Sequence, residues 1–382
     1  MPTPPSKLPG VGTTIFTVMS RLAAEAGAIN LGQGFPDFDP PERLRELVAH
    51  HLAAGHNQYA PMAGLPALQS AIAASAALRH GWRIDPDAEV TVTAGGTEAI
   101  FAAIHAVVRA GEEVILLDPS YDSYGPAAEL AGARVLRIPL SIADFSIDWK
   151  RLAAAIGPRT RLVVVNTPLN PAGAVLSAAD WDRLADLLVG VDCYLLSDEV
   201  YEALVFDGRR HAGVLGNARL RERAFAVFSF GKTYNATGWK VGYCVAAPPL
   251  TAEFRKVHQF LTFAVSTPVQ HAIADFMRES PAFADGLGPF YQERRDRFAS
   301  LLEGSRFRLR PVHGTYFQLA DYSAISELSD VRFCEELTRR HGVAAIPLSP
   351  FCDEAPAARL IRFCFAKGDR TLQAAAAKLR AV

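Results

Sequence analysis

Apolar and polar residues alternate along this chain with two different periods, and the change of period separates helices from strands. Apolar residues at helical spacing predict amphipathic helices over 14–25, Glu42–Leu52, 65–79, Glu98–Val108, Trp181–Leu188, Tyr291–Leu302 and Val331–Arg340. Short β-branched runs predict strands at Val90–Thr93, Val114–Leu117, Leu162–Val165, Tyr194–Leu196, Phe225–Phe228 and Val241–Val245. Because these strands are apolar throughout and alternate with helices, we expect a mostly parallel sheet covered on both faces.

The pattern changes after about Arg278, where isolated strands are predicted among helices. These strands lie at Thr315–Leu319, Val343–Ile346 and Leu360–Phe365. Residues 1–40 are rich in Pro and Gly, which predicts an arm and an irregular loop. We therefore predict an α/β fold with three parts: an N-terminal arm over 1–41 that joins the small domain, a three-layer α/β/α large domain over 42–278, and a smaller α+β domain over 279–382.

Composition and charge exclude several classes of function. Lys and Arg number 39 against 40 Asp and Glu, and this balance argues against nucleic acid or an anionic membrane as a partner. No apolar run approaches the ~20 residues that span a bilayer, and the start MPTPPSKLPG has four prolines and no apolar core of a secretory signal. The five cysteines form no CxxC pair and the ten histidines show no metal-ligand spacing. We expect a cytoplasmic protein without a catalytic metal.

The segment Ser229–Lys240 (SFGKTYNATGWK) carries the most informative lysine. Lys232 follows an apolar strand within a turn rich in Gly, Ser and Thr, a position at which a parallel sheet presents groups to a crevice. Desolvation and a neighbouring cation such as Lys240 favour the neutral amine, which forms Schiff bases with carbonyl compounds. A lone lysine is most often a solvated surface residue, so this segment does not decide the function by itself.

Three other segments place polar groups at the ends of predicted strands. Asp198, in LLSDEVY, is suited to pair with a pyridinium nitrogen, although an N-cap explains it equally well. Asn170, in NTPLNPAG, offers an amide donor for a phenolate oxygen, although Asn-Pro pairs also make turns. The run Thr93–Glu98 (TAGGTE) exposes backbone N–H groups at a helix start, which suits an anion or simply a tight turn. Neither a P-loop nor a GxGxxG dinucleotide motif is present.

Taken together, these segments resemble a known family. Its motifs occur in the family's order along essentially the whole chain: LGQGFPDF, NQYAP, DPSYDSY, NTPLNPAG, SDEVY, SFGKT with TGWKVGY, and LIRFCFAK. The combination resembles the class I aminotransferases of pyridoxal-5′-phosphate (PLP) fold type I. Within them it is most similar to the kynurenine/methionine branch, above all to bacterial methionine-acting members. The resemblance implies PLP as cofactor, an amino acid and a 2-oxo acid as substrates, and a homodimer with shared active sites.

The resemblance also implies how the cofactor ring would be held. Lys232 would bind PLP through its amine, and Asp198 would pair with the pyridine nitrogen. Tyr201 and Asn170 would bond the phenolic oxygen, and Tyr121 would stack on the ring. The catalytic residues would then be Lys232, Asp198 and Tyr201.

Further residues would bind the phosphate and the substrate. Those matching the family's phosphate contacts are Gly95, Gly96, Thr97, Ser229, Lys240 and, from the neighbouring subunit, Tyr59. The substrate carboxylate would be gripped by Arg362, whose planar fork suits bidentate binding. Those assisting Arg362 would be Gly34, Asn170 and Phe16.

Two departures from the family pattern bear on specificity. Many relatives carry Arg where this chain has Lys240, which supplies a point charge without a bidentate grip. Kynurenine-preferring relatives have an aromatic residue and a His where this chain has Val265 and Ser266. The chain therefore leans towards methionine and other bulky apolar amino acids.

Three alternatives remain open from the sequence. A cysteine S-conjugate β-lyase would use the same residues, and a kynurenine–oxoglutarate transaminase remains possible despite Val265 and Ser266. A PLP-binding regulator would need a DNA-binding module, but only about 30 residues precede the LGQGF motif and they show no basic cluster. We predict a PLP-dependent transaminase.

Overall fold

The computed structural model describes residues 4–382, so the first three residues of the predicted arm lie outside it. Its α-helices, in chain order, are α1 Ile15–Glu25, α2 Glu42–Ala53, α3 Pro66–His80, α4 Pro86–Glu89, α5 Gly95–Val107, α6 Tyr124–Leu130, α7 Trp149–Ala155, α8 Ala178–Leu187, α9 Ala218–Arg221, α10 Phe230–Thr233, α11 Pro248–Leu261, α12 Thr267–Glu279, α13 Leu287–Leu301, α14 Asp330–His341 and α15 Asp369–Leu379. Its strands are β1 Ile29–Asn30, β2 Val90–Thr93, β3 Glu113–Asp118, β4 Arg134–Pro139, β5 Thr160–Asn166, β6 Tyr194–Asp198, β7 Ala224–Ser229, β8 Gly242–Ala246, β9 Arg308–Leu309, β10 Phe317–Asp321, β11 Val343–Ala344, β12 Ile346–Pro347 and β13 Leu360–Cys364.

Seven strands form the central sheet in the order β2-β8-β7-β6-β5-β3-β4. Only β8 runs against its neighbours, and the other strands are parallel. Successive residues of each inner strand enter opposite cores, as Leu162 and Val164 do on one face and Val163 and Val165 on the other. Helices cover both faces, which explains the uninterrupted apolar runs and confirms the predicted α/β class.

Two smaller sheets lie outside the central one. Strands β12, β13, β10 and β9 form an antiparallel sheet, and β1 pairs in parallel with β11. Helix α1 buries Met19 and Leu22 in the same core as β10, β13 and α15. The N-terminal segment therefore contacts the C-terminal third of the chain, and on this ground we propose the division into arm, large domain and small domain.

Some elements differ from the sequence predictions. Strand β4 was missed because its sequence RVLRIP lies at the sheet edge and includes two arginines, so it lacks an apolar run. The predicted strand Thr315–Leu319 begins two residues later, and Val343–Ile346 is two short strands on different sheets. Helices α11, α12 and α15 were also not predicted. No helix within residues 4–382 is both long and apolar enough to cross a membrane.

The carboxyl ends of the parallel strands meet at one edge of the central sheet. Because β2, β3, β5, β6 and β7 all point the same way, the chain leaves each of them towards the same crevice. Asp198 ends β6 and Ser229 ends β7, while α5 begins two residues after β2. This edge collects segments that are more than 100 residues apart in the sequence.

Candidate active site

A cavity of about 250 Å³ opens at this edge and contains nearly all of the site residues predicted from the sequence. The predicted residues that line it are Phe16, Gly34, Gly95, Gly96, Thr97, Tyr121, Asn170, Asp198, Tyr201, Ser229, Lys232, Lys240 and Arg362. They come from the arm, from the carboxyl ends of five strands of the central sheet, from the turn before β8 and from β13 of the small sheet. The fold therefore brings the dispersed motifs together in one cavity.

Lys232 lies in the short helix α10, directly after β7. Its amine donates to the hydroxyl of Tyr316 at 2.9 Å and to the carbonyl of Gly34 at 3.3 Å. Part of its side chain remains exposed, but burial of the amine is the main cause that lowers its pKa to about 8, with Arg362 adding to the effect. Lys232 thus has an appreciable neutral fraction near physiological pH, the form needed for a nucleophile or a base.

Asp198 is buried at the end of β6, with 4% of its surface exposed. Its carboxylate accepts a hydrogen bond from the Tyr124 hydroxyl at 2.5 Å and one from the amide of Val200 at 3.3 Å. Burial raises the pKa of Asp198 to about 6, although Tyr124, Val200 and Lys232 oppose the rise. No residue within 4–382 makes an ion pair with it. A buried carboxylate without a cationic partner is suited to bind a cation.

Backbone N–H groups and a lysine surround the start of α5. Gly95 has a φ of 79°, in the left-handed region that favours glycine, and opens this 13-residue helix towards the cavity. A Cβ on Gly95 would lie 3.4 Å from Lys240 Nζ, and one on Gly96 would lie 3.0 Å from Val200. Lys240 itself has a φ of 54°, a conformation that costs a non-glycine residue roughly 1 kcal/mol. This arrangement suits an anion, because the helix dipole and the lysine both favour negative charge.

Arg362 lies on β13 with only 1% of its surface exposed. Its two terminal nitrogens donate to Asn170 Oδ1 at 2.7 Å and to the carbonyl of Gly32 at 2.9 Å, while Nε is buried without a partner. The guanidinium lies over Phe317, 3.9 Å from the ring centre, and 5.2 Å from that of Phe16. Burial lowers the pKa of Arg362 to about 10. A buried guanidinium with no acidic partner in contact is suited to bind a carboxylate.

Tyr59 does not reach the cavity of its own chain. Its side chain is 84% exposed and contacts Phe263 edge to face, at 5.3 Å between ring centres. It borders a shallow surface depression together with Val265 and Ser266. The sequence had assigned Tyr59 to the cofactor of the neighbouring subunit, and its exposure leaves it free to contact another molecule.

Sequence reasoning missed three residues of the site. Tyr124 holds the Asp198 carboxylate, and Tyr316 bonds Lys232. Asn166 accepts from the amide of Asn170 at 2.7 Å and donates to the carbonyl of Asp198 at 2.8 Å, so it joins two predicted site segments. Tyr124 and Asn166 lie within motifs already singled out, DPSYDSY and NTPLNPAG, and this was the available signal. Tyr316 stands in HGTYF, for which no pattern indicated a role.

A second cleft, of about 1470 Å³, is larger but lacks comparable chemistry. It is open to solvent and lined by Arg79, His80, Glu202, His211 and Asp285, among others. These acids and bases pair with one another, since Arg79 contacts both Glu202 and Asp285 and His80 contacts Glu202 at 2.8 Å. Paired groups have little charge left for a ligand, so the smaller cavity is the better candidate.

Comparison with known proteins extends over the whole chain. Residues 26–379 match the family described as aminotransferase class I and II. The chain is 55% identical over 377 residues to the methionine aminotransferase of Escherichia coli (strain K12), covering 99% of this chain and 98% of that protein. It is 33% identical over 401 residues to kynurenine–oxoglutarate transaminase 3 of Rattus norvegicus, covering 97% and 88%. The crystal structure of YbdL from Escherichia coli, described as identifying a methionine aminotransferase function, has a TM-score of 0.98 at 54% identity, covering 100% of both chains.

Proposed function

The chain belongs to the class I and II aminotransferases, the family that its motifs predicted, and is therefore a transaminase; we propose that its donor is L-methionine or another bulky apolar L-amino acid and that PLP is its cofactor. The acceptor is a 2-oxo acid. The observation that carries the choice of donor is the environment of Arg362, which combines one buried guanidinium with the aromatic rings of Phe16 and Phe317. This combination suits an α-carboxylate attached to an apolar side chain.

The charges of the cavity support an apolar donor over an acidic one. Within the part of the cavity built by residues 4–382 of one chain, the cationic side chains are Lys232, Lys240 and Arg362. Lys240 approaches Gly95 at the start of α5 and Lys232 lies in α10 directly after β7, so Arg362 is left as the cation for substrate. A donor with a second carboxylate would need a second cation.

The residues present fit PLP at three points. The start of α5 with Lys240 suits the phosphate, because backbone N–H groups and a lysine converge there. Asp198 suits the ring nitrogen, because it is buried without an ion pair among residues 4–382 and so favours a protonated partner. Lys232 suits the covalent attachment, because its amine is partly neutral near pH 7. We propose that Tyr201 and Asn170 bond the phenolic oxygen and that Tyr121 stacks on the ring.

PLP, when bound, supplies an electron sink for negative charge that develops at the substrate Cα. Asp198 would keep the ring nitrogen of bound PLP protonated through its negative charge. With PLP bound, the amine of Lys232 would be positioned to take the proton from the substrate Cα as a base and to give it back as an acid. Arg362 fixes the substrate by its carboxylate, so that the Cα–H bond has a constant position relative to Lys232. Tyr316, hydrogen-bonded to Lys232 at 2.9 Å, orients the amine.

We also propose a homodimer in which Tyr59 of the partner subunit contacts the cofactor phosphate. An exposed apolar patch supports this: Tyr59 is 84% exposed, Phe260 87% and Phe263 42%. Large exposed aromatic residues in one area are typical of an interface. Phe260→Asp should give a monomer in light scattering and release PLP more readily, whereas Val189→Asp, at another exposed apolar position (73%), should do neither. A monomeric wild-type enzyme would contradict the proposal.

Five free thiols support a reducing compartment, and we propose the cytoplasm. Four of the five cysteines are buried and Cys352 is partly exposed. Burial raises the pKa of Cys193 and of Cys352 to about 12, so these thiols remain protonated and unreactive.

The donor is tested by steady-state kinetics of the purified holoenzyme. With a fixed 2-oxo acid, kcat/KM for L-methionine should exceed that for L-aspartate by at least about tenfold, a ratio that one apolar pocket can supply. L-Kynurenine is the second comparison, since the rat relative is named for it. A higher kcat/KM for aspartate or kynurenine would refute the donor but leave the transaminase class intact. A chain that shows no visible cofactor absorption after incubation with PLP would refute the cofactor.

A further inference from the structure

Three histidines converge outside the candidate active-site cavity, where α2 and the loop after it meet α12. His51 lies in the last turn of α2, His56 in the loop that follows it, and His271 in the first turns of α12. One ring nitrogen from each lies within 4.8 Å of the other two. Their ring centres are 5.0 Å apart for His51 and His56 and 4.1 Å apart for His56 and His271. None of the three lines the active-site cavity.

A carboxylate fixes the orientation of one of these rings. Asp275 lies one helical turn after His271 on α12, and its Oδ2 is 2.8 Å from His51 Nε2. Arg278 bonds the other oxygen of the same carboxylate. Since the carboxylate accepts a hydrogen bond from Nε2–H, the Nδ1 of His51 carries its lone pair towards the centre of the cluster. This carboxylate–histidine arrangement is the one that commonly orients an imidazole for a metal.

The other ring nitrogen of His51 faces His56. His56 Nδ1 lies 2.8 Å from His51 Nδ1. Two lone pairs repel at that distance, so His56 Nδ1 either donates a hydrogen bond to His51 Nδ1 or shares a metal ion with it. His271, whose ring stacks on both, adds a third nitrogen that a single proton leaves unused.

We propose that His51, His56 and His271 form a site for a divalent transition metal of the zinc class, with Asp275 as the orienting carboxylate. Three imidazoles suit zinc and disfavour magnesium and calcium, which prefer oxygen ligands. Zinc–nitrogen distances of about 2.0–2.1 Å in a tetrahedron place the nitrogens roughly 3.3–3.4 Å apart. The His51–His56 pair would open by about half an ångström and His271 would move inwards by about 1.5 Å at most. The rings are stacked, so binding would also require them to rotate about their side-chain bonds until each lone pair points at the metal.

The site would fasten the loop that leads to Tyr59. His56 precedes Tyr59 by three residues, and the hydroxyl of Thr267 at the start of α12 already donates to the carbonyl of Gln58 at 2.5 Å. A metal held by α2, the loop and α12 would add a second link between the same elements. The proposal does not depend on the amino donor or on PLP.

Zinc binding to the full-length holoenzyme, produced without a histidine tag, tests the site. After removal of metals by a chelator, titration with Zn²⁺ against a chromogenic competitor should give one equivalent per chain. His56→Gln and His271→Gln should each weaken binding by at least about tenfold, and Asp275→Asn by about 10–100-fold. His50→Gln is the matched control, because His50 is an exposed imidazole next to His51 that does not belong to the cluster, and it should bind as the wild type does.

Two further readouts keep the test decisive. Co²⁺ in the wild-type protein should give the intense visible bands of a tetrahedral site, a measurement that needs no variant to fold. Zn²⁺ should raise the midpoint of thermal unfolding of wild type and His50→Gln but not of His56→Gln, a substitution in a loop. Binding that is weak or unsaturable in wild type, or equally tight in His56→Gln and His271→Gln, would overturn the proposal and leave a hydrogen-bonded histidine cluster.

Discussion

The turn after β6 has buried carboxylates on two sides, and the pKa values of Asp198 and Glu202 are shifted in opposite directions. On the cavity side, burial raises the pKa of Asp198 to about 6 despite the hydrogen bond from Tyr124. On the far side, burial alone would raise the pKa of Glu202 as well, but Arg79 and His80 outweigh it and hold that pKa at about 2. Glu199, also on the far side, is fully buried and bonds His211 at 2.6 Å.

The difference lies in the partners and not in the depth of burial. Asp198 is 4% exposed and Glu202 9%. Glu202 contacts two basic side chains directly, whereas Asp198 has hydrogen-bond donors but no ion pair within residues 4–382. An unpaired buried carboxylate destabilises the folded chain. Such unfavourable groups occur mainly at functional sites, where a ligand interacts with the charge. The far side holds the turn in place, and the cavity side is available for chemistry.

Lys232→Ala gives the largest expected effect, because it removes the one amine positioned for both attachment and proton transfer. Transamination should fall by about 10⁴-fold or more, and the visible absorption that PLP acquires in the wild-type enzyme should be lost. Lys367→Met is the matched control on a buried lysine that bonds only a backbone carbonyl, that of Phe35 at 2.7 Å. It should lower thermal stability and leave kcat within a few-fold. Undiminished turnover in Lys232→Ala would remove the basis for the mechanism.

Asp198→Asn and Glu202→Gln should separate chemistry from structure on the two sides of the turn. The neutral amide at 198 no longer keeps the ring nitrogen protonated, so kcat should fall by about 10²–10³-fold, as when one preorganised electrostatic partner is lost. Glu202→Gln breaks the pairs with Arg79 and His80 and should lower the unfolding midpoint with little change in kcat. If the two variants lost kcat equally, the distinction between the two sides would not hold.

The same pair of substitutions should change stability in opposite directions in the cofactor-free protein at pH 7. The folded pKa of Asp198 lies about two units above its unfolded value of 3.8, so stability falls as pH rises from about 4 to 6, in total by about 3 kcal/mol. The folded pKa of Glu202 lies below 4.5, so its contribution is present above pH 4.5 and is lost as pH falls towards 2. Apo Asp198→Asn should therefore unfold at higher denaturant concentration than wild type, and Glu202→Gln at lower. Denaturant titrations at pH 4.5 and 7 check both, and the gain from Asp198→Asn should be smaller at pH 4.5.

Some residues of the site could be predicted from the sequence and others could not. Lys232 and Asp198 stand in motifs whose residue types and strand-end positions indicate their chemistry, whereas the role of Arg362, in the middle of β13, was implied by the resemblance alone. All three residues line the cavity. Tyr124 was not assigned because its partner Asp198 is 74 residues away, and only the folded chain brings them together. The arm residue Phe16 depended on resemblance alone, since no local pattern places it over Arg362.

Helices and strands could be predicted where the local sequence pattern indicates which of their residues are buried. The inner strands β5 and β7 are apolar on both faces and were found, whereas the edge strand β4 is partly exposed and was not. Helix α12 was missed although Phe276 and Ile273 are buried, because the rest of its buried face consists of small alanines and one glutamine, Gln270. In the proposed homodimer, the position of Tyr59 relative to a cofactor would depend on a second chain, and no property of one chain's sequence fixes it.

Tyr124→Phe should give the smallest change in kcat, and it directly tests the environment of the Asp198 carboxylate. The substitution removes the hydrogen bond to Asp198 at 2.5 Å and keeps the buried ring. Because that bond lowers the pKa of Asp198, its loss should raise this pKa further, and more of the carboxyl groups will be protonated at a given pH. A hydrogen bond to a charged group contributes about 1.5–3 kcal/mol. The interaction of Asp198 with the cofactor's ring nitrogen should offset part of this loss. We therefore expect kcat to fall by about tenfold at pH 7. The acidic limb of the pH profile of kcat should move to higher pH.

Tyr322→Phe removes a comparable buried hydroxyl, bonded to the carbonyl of Leu328 at 2.9 Å, and should change neither kcat nor the profile. A Tyr124→Phe profile that falls uniformly at all pH values would show that Tyr124 acts on the position of the ring and not on the charge of Asp198.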